Sequence, residues 1–295
     1  MDLKGAFLKT AAVVWMILLF GTWIYVDAGY AGSTLSFSEV PGGSMGAFVG
    51  AMIITIAGWR VIGNLQYQHE ADQWREVGQQ AGLQPTGSGS PPKLTGTVDG
   101  RTVTARFEKH QVSGSEEGGG RLVTFTFADA ELAGPADEGL VVGTAGERVR
   151  AHNGVGTLDF DDLYETASAA GLVAAETEDL VLVGTSSAVV EAVVDGLSGR
   201  ALHAIRDLQI VSAGDASGMV AEWAEARNDQ MEGVGSSLAE HPVDNLVELV
   251  PGDAATVTVE TKAAIQDGDE LRRFAEGTVA IADAFEDASG AESGF

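Results

Sequence analysis

The chain has 295 residues, a mass of 30.5 kDa and 17 Lys+Arg against 43 Asp+Glu, giving a net charge of −26 and a pI near 4.3. It contains no cysteine, yet 45% of its residues are apolar. A disulfide framework, a thiolate metal site and a cysteine nucleophile are therefore excluded, nucleic-acid binding is disfavoured because phosphates need positive surface, and a wholly disordered chain is disfavoured by the apolar content.

The charge is unevenly placed. Residues 1–66 carry three basic and three acidic side chains, so the whole of the −26 lies in residues 67–295. Residues 10–26 (TAAVVWMILLFGTWIYV) hold no charge over 17 positions. With Phe7 and Leu8 they reach the roughly 20 residues that a bilayer-spanning helix needs. Residues 45–62 (MGAFVGAMIITIAGWRVI) form a second apolar run whose one charge, Arg60, lies near its end. Trp23, Tyr25 and Trp59 mark run ends as interfacial aromatics do. The sequence thus predicts a two-helix transmembrane hairpin over 1–66, with spans at about 7–26 and 45–62. Lys4 and Lys9 precede the first span, Arg60 and Arg75 accompany the second, and 27–44 contains no Lys or Arg. The positive-inside rule then places both termini, and the acidic domain, in the cytoplasm of a multi-pass membrane protein.

Within the second run, Gly46 and Gly50 form a G-x-x-x-G helix-association face. Packing of the two spans on each other is its first reading, and self-association or contact with another membrane protein its second. Gly42-Gly43-Ser44-Met45-Gly46 matches G-x-S-x-G, but no histidine occurs in 1–66, and Ser44 reads as a helix cap.

A helix continues over 67–84, with Tyr67, Ala71, Trp74, Val77 or Gly78, and Ala81 on one stripe and Gly82 as its stop. Residues 85–92 (PTGSGSPP) read as a linker. Residues 94–98 and 102–107 around Asp99-Gly100 read as a β-hairpin of the Asp-Gly type. Residues 122–127 and 140–142 read as further strands, and 159–164 as strand or helix. Residues 180–183 read as a strand, and a helix capped by Ser186 or Ser187 follows with Val190, Val193 and Leu197 on one face, widened by Val189 and Val194. Residues 208–211 and 219–225 read as a hairpin turning between Gly214 and Gly218, and 227–237 as a polar loop. Residues 256–261 (TVTVET) alternate as a strand. Asp267 and Glu270 open a last helix with Leu271, Phe274, Thr278, Ile281 and Phe285 on one face. The fold class expected is α+β: a membrane hairpin, then an acidic domain of antiparallel β-hairpins and packed helices over 85–288, and a flexible tail at 289–295.

The order of these features is similar to that of uncharacterised membrane-anchored proteins of haloarchaea. The features that carry it are the hairpin, the Trp74 helix, Leu94-Thr95-Gly96, Asp99-Gly100-Arg101, Leu158-Asp159-Phe160-Asp161 and Ile281-Ala282-Asp283-Ala284. The resemblance implies topology and an archaeal source, and it supplies no catalytic residue. Twelve Arg against five Lys, with acids spread from Glu70 to Glu292, fits a halophilic cytoplasm.

Chemistry-bearing motifs are few. The five histidines (69, 110, 152, 203, 241) lack ligand spacing. Asp159, Asp161 and Asp162 form the densest carboxylate cluster and are the candidate metal or acid–base residues. No phosphate loop or dinucleotide fingerprint occurs, so no cofactor is indicated. The sequence predicts a non-enzymatic interaction, scaffold or sensing module on the lipid bilayer. A membrane-tethered metal-dependent enzyme or metal binder using the aspartates, and an accessory subunit of a transporter, are the alternatives.

Overall fold

A computed structural model describes residues 14, 15, 17, 43–89, 91–112, 121–150, 157–177, 179–197, 207–232 and 243–292. The chain divides into two compact units, Met1–Trp74 and Arg75–Phe295.

In the first unit the described backbone is helical. Helix α1 runs Gly43–Ala81, through the predicted second span and the predicted 67–84 helix without a break. Of the predicted span 7–26, all but Val14, Trp15 and Ile17 lies outside the described residues. Among the described residues no helix is long and apolar enough to cross a membrane. Trp15 lies against Gly58, where a Cβ would come within 2.7 Å of the indole Nε1. The first apolar segment therefore meets the second at a residue without a side chain.

The second unit is α+β, as expected. It begins with the end of α1, where Leu83 N–H donates to Gly78 O (2.8 Å) and Gly82 adopts φ +83°. This left-handed glycine closes the helix at the position its sequence indicated. The strands are β1 (Gln84–Thr86), β2 (Lys93–Val98), β3 (Arg101–Val112), β4 (Arg121–Glu131), β5 (Gly139–Thr144), β6 (Arg148–Arg150), β7 (Thr157–Asp159), β8 (Val173–Thr177), β9 (Leu180–Gly184), β10 (Leu208–Gly214) and β11 (Thr256–Thr261). Nine of them form one sheet in the order β1-β2-β3-β4-β11-β10-β5-β9-β8, while β6 and β7 pair separately. Every pairing is antiparallel. At the β2–β3 turn Val98 pairs with Arg101, and Asp99 and Gly100 both take positive φ (48° and 87°). That is the two-residue turn the Asp-Gly pair selects.

The remaining helices are α2 (Phe160–Thr166), α3 (Ser187–Leu197), α4 (Ala216–Glu232), α5 (Val243–Val247) and α6 (Gly268–Glu292). Helices α3 and α6 pack on one face of the sheet, here the front. Leu271, Phe274, Ile281 and Phe285 of α6 are buried there with Val103, Ala105, Val257 and Val259. The back core joins Val141, Val181, Val183 and Ile210 to Phe160, Leu163, Met219, Trp223 and Leu246. The ring of Phe160 lies on Gly143, where a Cβ would come within 2.1 Å of it.

Four expectations are corrected. Part of the expected linker is the edge strand β1, paired to β2. The expected hairpin at 208–225 is a strand followed by α4, and the expected polar loop from 227 is helical to Glu232. Asp215 turns the chain into this helix, its Oδ1 accepting from Gly218 N–H (3.0 Å). Helix α6 extends to Glu292, into the stretch expected to be a flexible tail.

Candidate functional site

The aspartate cluster is brought together in sequence and separated in duty. Asp159 is the N-cap of α2 and accepts from Asp161 N–H (3.1 Å) and Asp162 N–H (3.3 Å). Its other oxygen pairs with Arg148 at 2.6 Å. Asp161 accepts from Gly146 N–H (2.9 Å), and Asp162 pairs with Arg227 on α4 at 2.7 Å. Each carboxylate thus ties a different element to the start of α2. Among the described residues no group of three or more His, Asp or Glu is placed to hold a metal ion.

Gly46 and Gly50 both lie on α1, and what their face meets is outside the described residues. Ser44 lies inside α1, one residue past its start. His69 is on α1 and His110 on β3, while His152, His203 and His241 lie outside the described residues.

A second polar cluster occupies the back of β3, β4 and β11. It follows from register. Strand β3 alternates Thr102, Thr104, Arg106, Glu108 and His110 with Val103, Ala105 and Phe107. The second set faces the front core, so the first set must share the back. Pairing then aligns Thr104 with Asp129 and Asp129 with Thr258 across three strands. The adjacent row is Arg106, Phe127 and Glu260.

The Arg106 guanidinium carbon lies 4.3 Å from the centroid of the Phe127 ring, a cation–π contact. Its Nε donates to Glu108 Oε1 (3.1 Å), and a terminal nitrogen donates to Asp129 Oδ2. Asp129 Oδ1 accepts from Thr258 Oγ1 at 2.8 Å. The second oxygen of Glu108 meets His110 Nε2 at 3.0 Å. The result is a connected line His110–Glu108–Arg106–Asp129–Thr258. Thr86, Thr95 and Thr104 extend the polar surface outward through hydroxyl contacts of 3.0 and 3.1 Å.

Glu260 lies beside this line and is 4% exposed. Burial raises its pKa from 4.5 to about 7; the charge of Glu108 adds to the shift and Arg106 opposes it. Burial also raises Asp129, against the pull of Arg106, Thr258 and Lys93. Desolvation penalises the charged carboxylate, so both groups hold protons more tightly than in water. The cluster contains three carboxylates and one guanidinium bonded to two of them. Its distinctive capacity is to take up and release a proton near neutrality.

Sequence reasoning passed over these residues because they are scattered between positions 106 and 260. Two signals were present: the strict polar alternation of β3, and one acid inside the otherwise Thr/Val strand 256–261. No family model, curated protein or solved structure matches the chain.

Proposed function

We propose that this chain is a membrane-anchored, non-enzymatic interaction or sensing module whose acidic α+β domain lies in the cytoplasm. The observation that carries this reading is the surface of the first unit. Met52, Ile53, Ile56, Val61 and Leu65 of α1 are 53%, 62%, 49%, 59% and 46% exposed. At about 100° per residue these positions point around more than half of the helix. A helix that is apolar on most sides needs an apolar medium, and a bilayer supplies one. Val14, Trp15 and Ile17 are likewise exposed. In the second unit, by contrast, Tyr164 is the large apolar residue found exposed among those described.

The charge-free run 10–26 and the basic residues Lys4, Lys9, Arg60 and Arg75 support a hairpin with both termini inside. The direct test is extraction of membranes with alkaline carbonate, followed by protease treatment of intact cells. The chain should stay in the pellet, and its domain should resist the protease until the cells are broken. Release of the chain into the carbonate supernatant would sink the anchor. Digestion in intact cells would reverse the orientation.

A further inference from the structure

We propose that Glu260 and Glu108 form a proton-controlled latch that sets how tightly β3, β4 and β11 are held together on the back of the sheet. The inference does not depend on membrane anchoring.

Its basis is a mismatch of partners. Arg106 has its hydrogen bonds committed to Glu108 on its own strand and to Asp129 on β4. Its flat side lies on Phe127, which is 4% exposed. Glu260, one strand further on, is directly paired with Phe127 and equally buried. The charges that act on its carboxylate are Glu108, which raises its pKa, and Arg106, which lowers it. From β3 it is faced by Arg106 and Glu108, with His110 behind Glu108. From β4 comes Asp129, and Lys93 of β2 acts on Asp129. The neighbouring residue on β10, Ile210, is uncharged.

With a proton on Glu260, two carboxylates share one guanidinium, and the line of bonds is complete. Without it, a third charge stands buried beside Glu108 and competes for Arg106. Like charges at a desolvated site cannot both persist at low cost. The relief available is movement of Arg106 or Glu260 toward water, and either movement uncovers Phe127 and loosens the three strands. The folded chain would cross this transition as pH rises through about 7, the value to which Glu260 is raised. The domain would then register a pH rise as a looser back face.

Hydrogen exchange read by mass spectrometry on the full chain in detergent, corrected for the intrinsic pH dependence of exchange, tests this. Peptides covering β3, β4 and β11 should lose protection between pH 6 and 8, while those from β8 and β9 keep it. Glu260→Gln should hold the three strands protected at both pH values. Glu108→Gln removes the neighbouring charge, so it should move the midpoint down by about one pH unit. His110→Gln should leave a transition that still depends on Glu260. Two results overturn the proposal: equal protection at pH 6 and 8 in the wild type, or a transition that survives Glu260→Gln and vanishes in His110→Gln.

Discussion

A carboxylate at 4% exposure on an inner strand makes stability depend on its proton. Glu260 is raised to about 7 in the folded chain, against 4.5 without the fold. Between these values the folded state binds more protons than the unfolded state. Stability therefore falls as pH rises through that window and levels off above it. The total is on the order of 3 kcal/mol by the usual conversion of pKa shift to free energy. Glu260→Gln should show a shallower fall over the same window and be the more stable chain at pH 8. Urea denaturation at pH 5, 6, 7 and 8 at fixed high salt measures this, and an unaltered pH slope in the variant would contradict it. Glu286 has the opposite sign. Its pKa is lowered, chiefly by its hydrogen bond from Arg101, so its contribution is present above the ordinary carboxylate range and lost as pH falls. Arg101 also bonds Asp283 (2.6 Å) and the carbonyl of Glu131 (2.8 Å), clasping α6 to the β3–β4 end of the sheet. Arg101→Ala should cost about 2 kcal/mol near neutrality. It should cost less as acid begins to protonate Glu286 and weaken its bond from Arg101. An equal loss at pH 3 and pH 7 would show that the ion pair contributes little.

Elements were legible where local pattern and tertiary role agree. The Asp99-Gly100 turn, the Ser186 cap (Val189 N–H to Oγ, 3.4 Å) and the Asp267 cap (Asp269 and Glu270 N–H, both 3.0 Å) appear where local chemistry put them. Helix α4 reads as a strand from its flanking glycines alone. Gly214 and Gly218 suggested a turn, but Met219, Val220, Trp223 and Ala224 fall at helical spacing and are all buried. Asp215 supplies the cap that the turn reading ignored. The order of strands was not legible at all, because β4 and β5 are separated by β10 and β11, which come far later in the chain. That same long-range order assembles the Arg106–Asp129–Glu260 cluster, so the site was hidden for the same reason. The aspartates at 159–162 were visible, but their capping and pairing depended on Arg148 and Arg227 being brought to them. Gly143 shows how a single position can govern such an element. The Phe160 ring occupies the space of a Cβ there, and Phe160 begins α2. Gly143→Ala should destabilise by at least about 2 kcal/mol through overpacking. It should also weaken the Asp159 cap and the Asp162–Arg227 pair. A denaturation midpoint equal to the wild type would mean that α2 shifts without cost.

At the scale of the whole molecule, the charge predicts a dependence of stability on salt. Fourteen basic and 40 acidic side chains lie after residue 66, spread over a domain with few described ion pairs to offset the excess. Self-repulsion of this kind opposes the compact state in dilute buffer. The Debye length shortens from about 10 Å at 0.1 M salt to about 3 Å at 1 M, which removes most of that repulsion. The core is ordinary by comparison, with two apolar layers on an open antiparallel sheet, so repulsion is the variable that salt can change. The chain should therefore gain stability steadily as potassium chloride is raised from 0.1 to about 2 M, with most of the gain in the first molar if screening is the cause. Salting-out of apolar surface would instead give a continuing rise that is steeper for sulfate than for chloride. Far-UV circular dichroism and thermal melts in the two salts separate these outcomes. A domain that keeps its full spectrum and melting point at low salt would remove the halophilic reading. The −26 would then need another explanation, such as a basic partner held against this surface.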